Sequence, residues 1–175
     1  GTFWSTGGRS QMKRRLDRAL PAAALALLLA LCLGACWPRS AADRVGRALN
    51  LTISHVREHL STDSHGGLSR DGTACTVLQA LDGSLLEQIR TDGRWRPLPM
   101  DKTTRILAYG YDDGITSIGP YLGEVELPEI QTGYYRLIDR HSDTDTDILD
   151  RYSFNFTLGV YDSDTNTLYC CEVDT

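Results

Sequence analysis

The chain has 175 residues, with 18 Lys and Arg against 23 Asp and Glu, for a net charge of −5. This balance excludes nucleic acid as a partner, because a phosphate backbone calls for a basic footprint. The length provides for one ordinary domain, and no internal repeat or low-complexity run divides it.

Residues 1–11 begin at Gly1 without apolar periodicity and read as sequence upstream of a start at Met12. Lys13, Arg14, Arg15 and Arg18 then precede an apolar run over residues 19–33 that is broken only by Pro21. The run is shorter than the ~20 residues of a membrane span and has the form of an export signal. It ends in Leu33-Gly34-Ala35-Cys36. Residues 12–36 resemble the lipobox-type signal peptide of bacterial lipoproteins; the rest of the chain resembles no family. The resemblance implies that residues 12–35 are removed and that Cys36 carries a diacylglyceryl group. Small residues before the cysteine give a peptidase access to the backbone, and a thiolate is a good acyl-glyceride acceptor. Acyl chains contribute about 0.8 kcal/mol per buried methylene and anchor stably when there are two or more. The implied location is extracytoplasmic, anchored by lipid to the bacterial cell membrane. Residues 36–175 would carry 13 basic and 22 acidic side chains, a net of −9. Anionic headgroups repel such a surface, so the membrane is met through the N-terminal lipid alone.

Residues 36–39 form a tether and residues 40–175 a single α+β domain. Ser40 and Asp43 have the spacing of a capping box. Val45, Ala48, Leu49, Thr52, Ile53, Val56 and Leu60 follow one helical face, which predicts an amphipathic helix over residues 41–60. Glycines mark residues 61–73 as a loop. A short helix is expected over 82–90 with Asp82 as its N-cap, stopped by Asp92-Gly93 and followed by Pro97 and Pro99. Strands are expected at 105–111, 123–127, 133–139, 153–161 and 167–173. The predicted fold is α+β, an N-terminal amphipathic helix packed on an antiparallel β-meander of four to five strands.

Three cysteines remain beyond Cys36. One disulfide, from Cys75 to Cys171, suits an exported chain, while burial as free thiols explains them equally well. The turn at Asp162-Ser163-Asp164-Thr165-Asn166 sets the last hairpin. An even-numbered loop pairs Val160 with Tyr169, Leu158 with Cys171 and Phe156 with Val173. Cys171 then faces the core and Cys170 points outward.

His55-Val56-Arg57-Glu58-His59 matches H-x-x-E-H, in which two histidines one helical turn apart bind zinc and the glutamate polarises water. A zinc-dependent hydrolase using His55, Glu58 and His59 is therefore the enzymatic alternative. On the predicted helix, however, Glu58 falls nearly opposite the apolar face. Asp143, Asp145 and Asp147 have the spacing of a calcium loop, as do Asp162, Asp164 and Asn166. Both lack the sixth-position glycine and twelfth-position carboxylate, so weak or no calcium binding is expected. Asp112-Asp113-Gly114, with Glu124 and Glu126 nearby, has carboxylates of the kind that pair in glycoside hydrolysis, but Asp-Asp-Gly after a strand is more often a turn. No catalytic residue, metal or cofactor is assigned. The sequence favours a binding or interaction domain whose ligand is a protein, peptide or glycan.

Overall fold

The structure is a computed structural model and describes residues 40–66 and 71–175. The signal-like segment, Cys36 and the tether lie outside the described residues.

The first helix, α1 (Ala41–Leu49), begins at a reciprocal cap: the Ser40 hydroxyl accepts from Asp43 N at 3.1 Å, and the Asp43 carboxylate accepts from Ser40 N at 3.3 Å. This satisfies backbone donors that a helix start leaves without partners. The helix stops at Asn50, which adopts the left-handed conformation with φ 52°. Asparagine tolerates this better than most residues. The expected helix over 41–60 is thereby corrected. Beyond the cap the chain extends, and Val56–Asp63 form strand β1.

β2 follows at Gly72–Ala80, then α2 at Ser84–Thr91, the two-residue β3 at Arg96–Pro97 and α3 at Lys102–Tyr109. A small hairpin comes next, β4 (Tyr111–Asp112) with β5 (Ser117–Ile118), then β6 (Gly133–Asp139), β7 (Asn155–Asp162) and β8 (Thr167–Asp174). Three sequence expectations change here. Residues 105–111 are mostly helix, because Asp101 caps α3 by accepting from Thr104 N at 2.8 Å. Residues 123–127 hold a 3-10 turn at Gly123–Val125 in place of a strand. The N-cap of α2 is Gly83, while Asp82 accepts from Ser84 N and Oγ.

The fold is α+β. Six strands form one antiparallel sheet in the order β1-β2-β8-β7-β6-β3, so the meander of four to five strands is also corrected. The last strand enters between β2 and β7. Phe156 pairs with Val173, Leu158 with Cys171 and Val160 with Tyr169, the partners an even loop requires. Asp162 holds that loop by accepting from Asp164 N at 2.9 Å and Thr165 Oγ1 at 2.7 Å.

Both faces of the central strands are buried. On one face Cys75, Val77, Phe156, Leu158, Val160, Cys171 and Val173 pack under Leu107 and Ala108 of α3, with Leu122, Val125 and Ile148. On the other, Leu78, Ala80, Tyr161, Leu168 and Cys170 pack under Val45 and Leu49 of α1, Leu85 and Ile89 of α2, and Trp95. Alternation along each strand sends neighbouring residues to opposite cores. Cys171 lies opposite Cys75, Cα atoms 4.1 Å apart, and the two form a disulfide between β2 and β8. Cys170 is a free cysteine only 2% exposed, so the outward orientation expected for it is corrected. It does leave the first core, but α1 and α2 cover the side it reaches. Gly159 shows how closely they approach: a Cβ there would lie 2.9 Å from Leu49 and from Trp95.

Two-sided burial predicts that Cys170→Asp is strongly destabilising, by about 3–5 kcal/mol, the usual cost of an uncompensated buried charge. Urea unfolding monitored by circular dichroism checks this. A midpoint equal to that of the parent chain would mean that the α1–α2 face is open to water.

Candidate functional site

The residues of the H-x-x-E-H pattern do not form a helical ligand pair. His55 precedes β1 with φ 52°, and its Nδ1 lies 2.8 Å from Asp82 Oδ2. Glu58 and His59 are consecutive, exposed strand residues, and the β1–β2 register shifts between Glu58 and Leu60. His59 Nε2 meets Gln79 Oε1 at 3.2 Å. A strand places its residues on alternating faces, which separates groups that a helix turn would have brought together.

The acidic segment is organised by its own backbone and one arginine. Asp143 Oδ1 accepts from Asp145 N at 3.0 Å and Thr146 N at 3.2 Å; the Thr146 side chain, then these backbone amides, lower its carboxyl from its ordinary value. Asp147 accepts from Leu149 N at 3.0 Å at the head of a short 3-10 turn, and Asp145 is exposed. The Arg151 side chain, 5% exposed, donates to Thr146 O through Nε and Nη2 and to Asp139 through Nη1. Among the described residues, no three His, Cys, Asp or Glu side chains converge to hold a metal ion.

Asp112 and Asp113 turn the β4–β5 hairpin, accepting from Gly114 N, and from Ile115 N and Thr116 N, respectively. Glu124 accepts from Thr62 Oγ1 at 3.0 Å. One contact has the outline of a nucleophile and its base: His141 Nε2 lies 3.0 Å from Ser153 Oγ. However, Nδ1 of the same ring accepts from Asp143 N at 3.0 Å. In neutral imidazole the proton then sits on Nε2, which donates to the serine and cannot take its proton.

A cluster of arginines lies at the β6 edge, where β3 covers only two residues. Arg94, Arg96 and Arg136 line a cleft of about 170 Å³ with Asp101, Thr104 and Tyr135. The pairing of Arg96 with Tyr135 places the arginine beside β6, and the Asp101 cap of α3 closes the opposite wall. Asp92 stands behind it, gripped by Arg94 Nε at 2.8 Å and Nη2 at 2.7 Å. That grip holds the Asp92 carboxyl down at about 2, with the Arg136 charge assisting. Partial burial pushes Asp101 up, but hydrogen bonds from Thr104 and Tyr135, with the Arg96 charge, bring it below its usual value.

Arg136 is less well served. Its side chain is 10% exposed, it donates one hydrogen bond, to Leu49 O at 2.6 Å, and its nearest carboxylate oxygen, on Asp92, is 3.6 Å away. Burial and the neighbouring Arg94 charge lower its pKa. The Thr104 hydroxyl is buried and, beyond its approach to the Asp101 carboxylate, finds no hydrogen-bond partner among the described residues. None of this was assigned from sequence. The available signal was Arg94-Trp95-Arg96 in an acidic chain, but Arg136 joins it only through strand pairing. A larger open groove of about 570 Å³ follows the end of α1, and there Gln88 already bonds both Thr52 N and Thr52 O at 2.8 Å.

The chain matches no protein-family model, no curated protein and no solved structure.

The lowered Asp92 pKa makes stability depend on acid. A carboxylate depressed from 3.8 to about 2 on folding contributes stability that is fully present above pH ~4 and is lost as pH falls toward 2. Asp92→Asn is expected to flatten the fall of the thermal midpoint between pH 4 and 2. An unchanged slope would mean that another group governs this window.

Proposed function

We propose that this chain is an exported lipoprotein, anchored through Cys36, whose domain at residues 40–175 binds a ligand without transforming it. The ordered basic start, apolar run and Leu33-Gly34-Ala35-Cys36 carry the export and anchoring reading. The Cys75–Cys171 disulfide agrees with an oxidising compartment outside the cytoplasm. Binding is preferred to catalysis because His55 lies before β1 while Glu58 and His59 lie within it, all three exposed and none joined with another in one site. The His141–Ser153 pair also carries its proton on the wrong nitrogen for a general base. The ligand is a group on a protein, peptide or glycan outside the cytoplasm.

Cys36→Ala is expected to abolish lipid attachment and signal removal in a bacterial host. Metabolic labelling with palmitate, followed by electrophoresis of the full chain, measures both effects. Undiminished label in the variant would overturn the anchor.

A further inference from the structure

We propose that His65 is a proton-operated clasp: charged, it ties the end of β1 to the end of β8, and on losing its proton it releases β8.

The four histidines of the chain differ in what their ring nitrogens meet. His55 faces one carboxylate, that of Asp82, from a side chain 74% exposed, and His59 meets the Gln79 amide oxygen. His141 lies against the Ser153 hydroxyl and the Asp143 amide, a pair that a neutral ring satisfies. Among the described residues, His65 alone is set between two carboxylates. Its Nδ1 lies 2.8 Å from Asp63 Oδ1 and its Nε2 3.2 Å from Asp174 Oδ2. An ionised carboxylate only accepts, and a neutral imidazole has one N–H to give. The imidazolium donates to both, whereas the neutral ring must turn a lone pair toward one of the two anions.

The surroundings decide which bond fails. His65 N donates to Asp63 Oδ1 at 3.0 Å, so the chain itself holds this carboxylate beside the ring. Gly72 seats the same backbone, since a Cβ there would lie 2.6 Å from His65 N. Partial burial pushes the Asp63 carboxyl up, but hydrogen bonds from His65, with the His65 and Arg44 charges, bring it below its ordinary value. Asp174 has a second cation: Arg140 Nη1 donates to its Oδ1 at 2.8 Å. Asp174 keeps that partner when His65 is neutral, so the bond between His65 and Asp174 is the one that opens. It joins residues 109 positions apart, at the last register pair of β2 with β8, Gly72 with Asp174. The two side chains are 24% and 33% exposed, so water reaches them and the proton can leave without unfolding. Imidazole is the side chain that changes charge between about pH 5 and 8. The stability that the closed clasp adds is present at the acid end of this range and is lost as pH rises.

Imidazole nitrogen NMR of the full chain in detergent micelles, from about pH 5 to about pH 8.5, tests the proposal. His65 is expected to carry a proton on both nitrogens at the acid end and on Nδ1 alone at the basic end. Urea unfolding of the parent chain and of His65→Gln at the two ends measures what the proton does, because glutamine can hydrogen-bond but never becomes charged. The ratio of the variant's unfolding constant to the parent's is expected to be about fivefold larger at the acid end, the net worth of one hydrogen bond. His59→Gln, which loses the Gln79 contact, should give the same ratio at both ends. A His65 ring that is neutral throughout, or a His65→Gln ratio that does not change with pH, overturns the clasp. The ring measurement is made on the parent chain and decides the matter even where the variant does not fold.

Discussion

The arrangement of the domain depends on the burial of β2, β8 and β7 on both faces. A strand covered on one side needs only alternate apolar residues, but a strand covered on both must place small or apolar side chains at nearly every position. Gly159, Cys170 and Cys171 satisfy this at the centre of the sheet, where there is room for little else. Because α1 and α2 occupy one face and α3 with its following turns the other, the helices cannot gather into one layer. The arginine cleft lies at one edge of the sheet, beside the short strand β3.

Legibility of the fold from sequence followed the same constraint. The last hairpin could be read because Phe156, Leu158 and Val160 alternate with smaller or more polar neighbours and the Asp162 turn fixes the register. β2 could not, since Thr76, Val77 and Leu78 are all buried and show no period of two. β1 was obscured by a chance continuation of helical spacing past Asn50, a case in which one cap outweighs the four periodic positions Thr52, Ile53, Val56 and Leu60. α3 was misread because its apolar core, Ile106-Leu107-Ala108-Tyr109, is as compatible with a buried strand as with a helix.

The charged residues show why a site is harder to read than a fold. The acidic segment looked like a ligand site in one dimension, yet its carboxylates accept from backbone amides two or three residues ahead. Such local bonds are available to any exposed aspartate near a turn. The arginine cleft has the reverse character. Arg94 and Arg96 are close in sequence, but Arg136 lies forty positions beyond Arg96, and the pairing of β3 with β6 brings it to the same sheet edge, on the face opposite Arg96. Spacing reveals local hydrogen bonding well and long-range charge convergence poorly.

The central place of β8 bears on how the molecule is assembled. A strand formed from residues 167–174 is the seam on which β1–β2 and β7–β6–β3 are joined. Until it is in place the sheet exists as two halves with raw inner edges, and neither has a complete core. The contact that unites them spans 96 residues between Cys75 and Cys171, so closure is a late, non-local event. A nascent chain halted before residue 167 would lack the middle of its sheet, not a fringe of it, and would remain open to proteases.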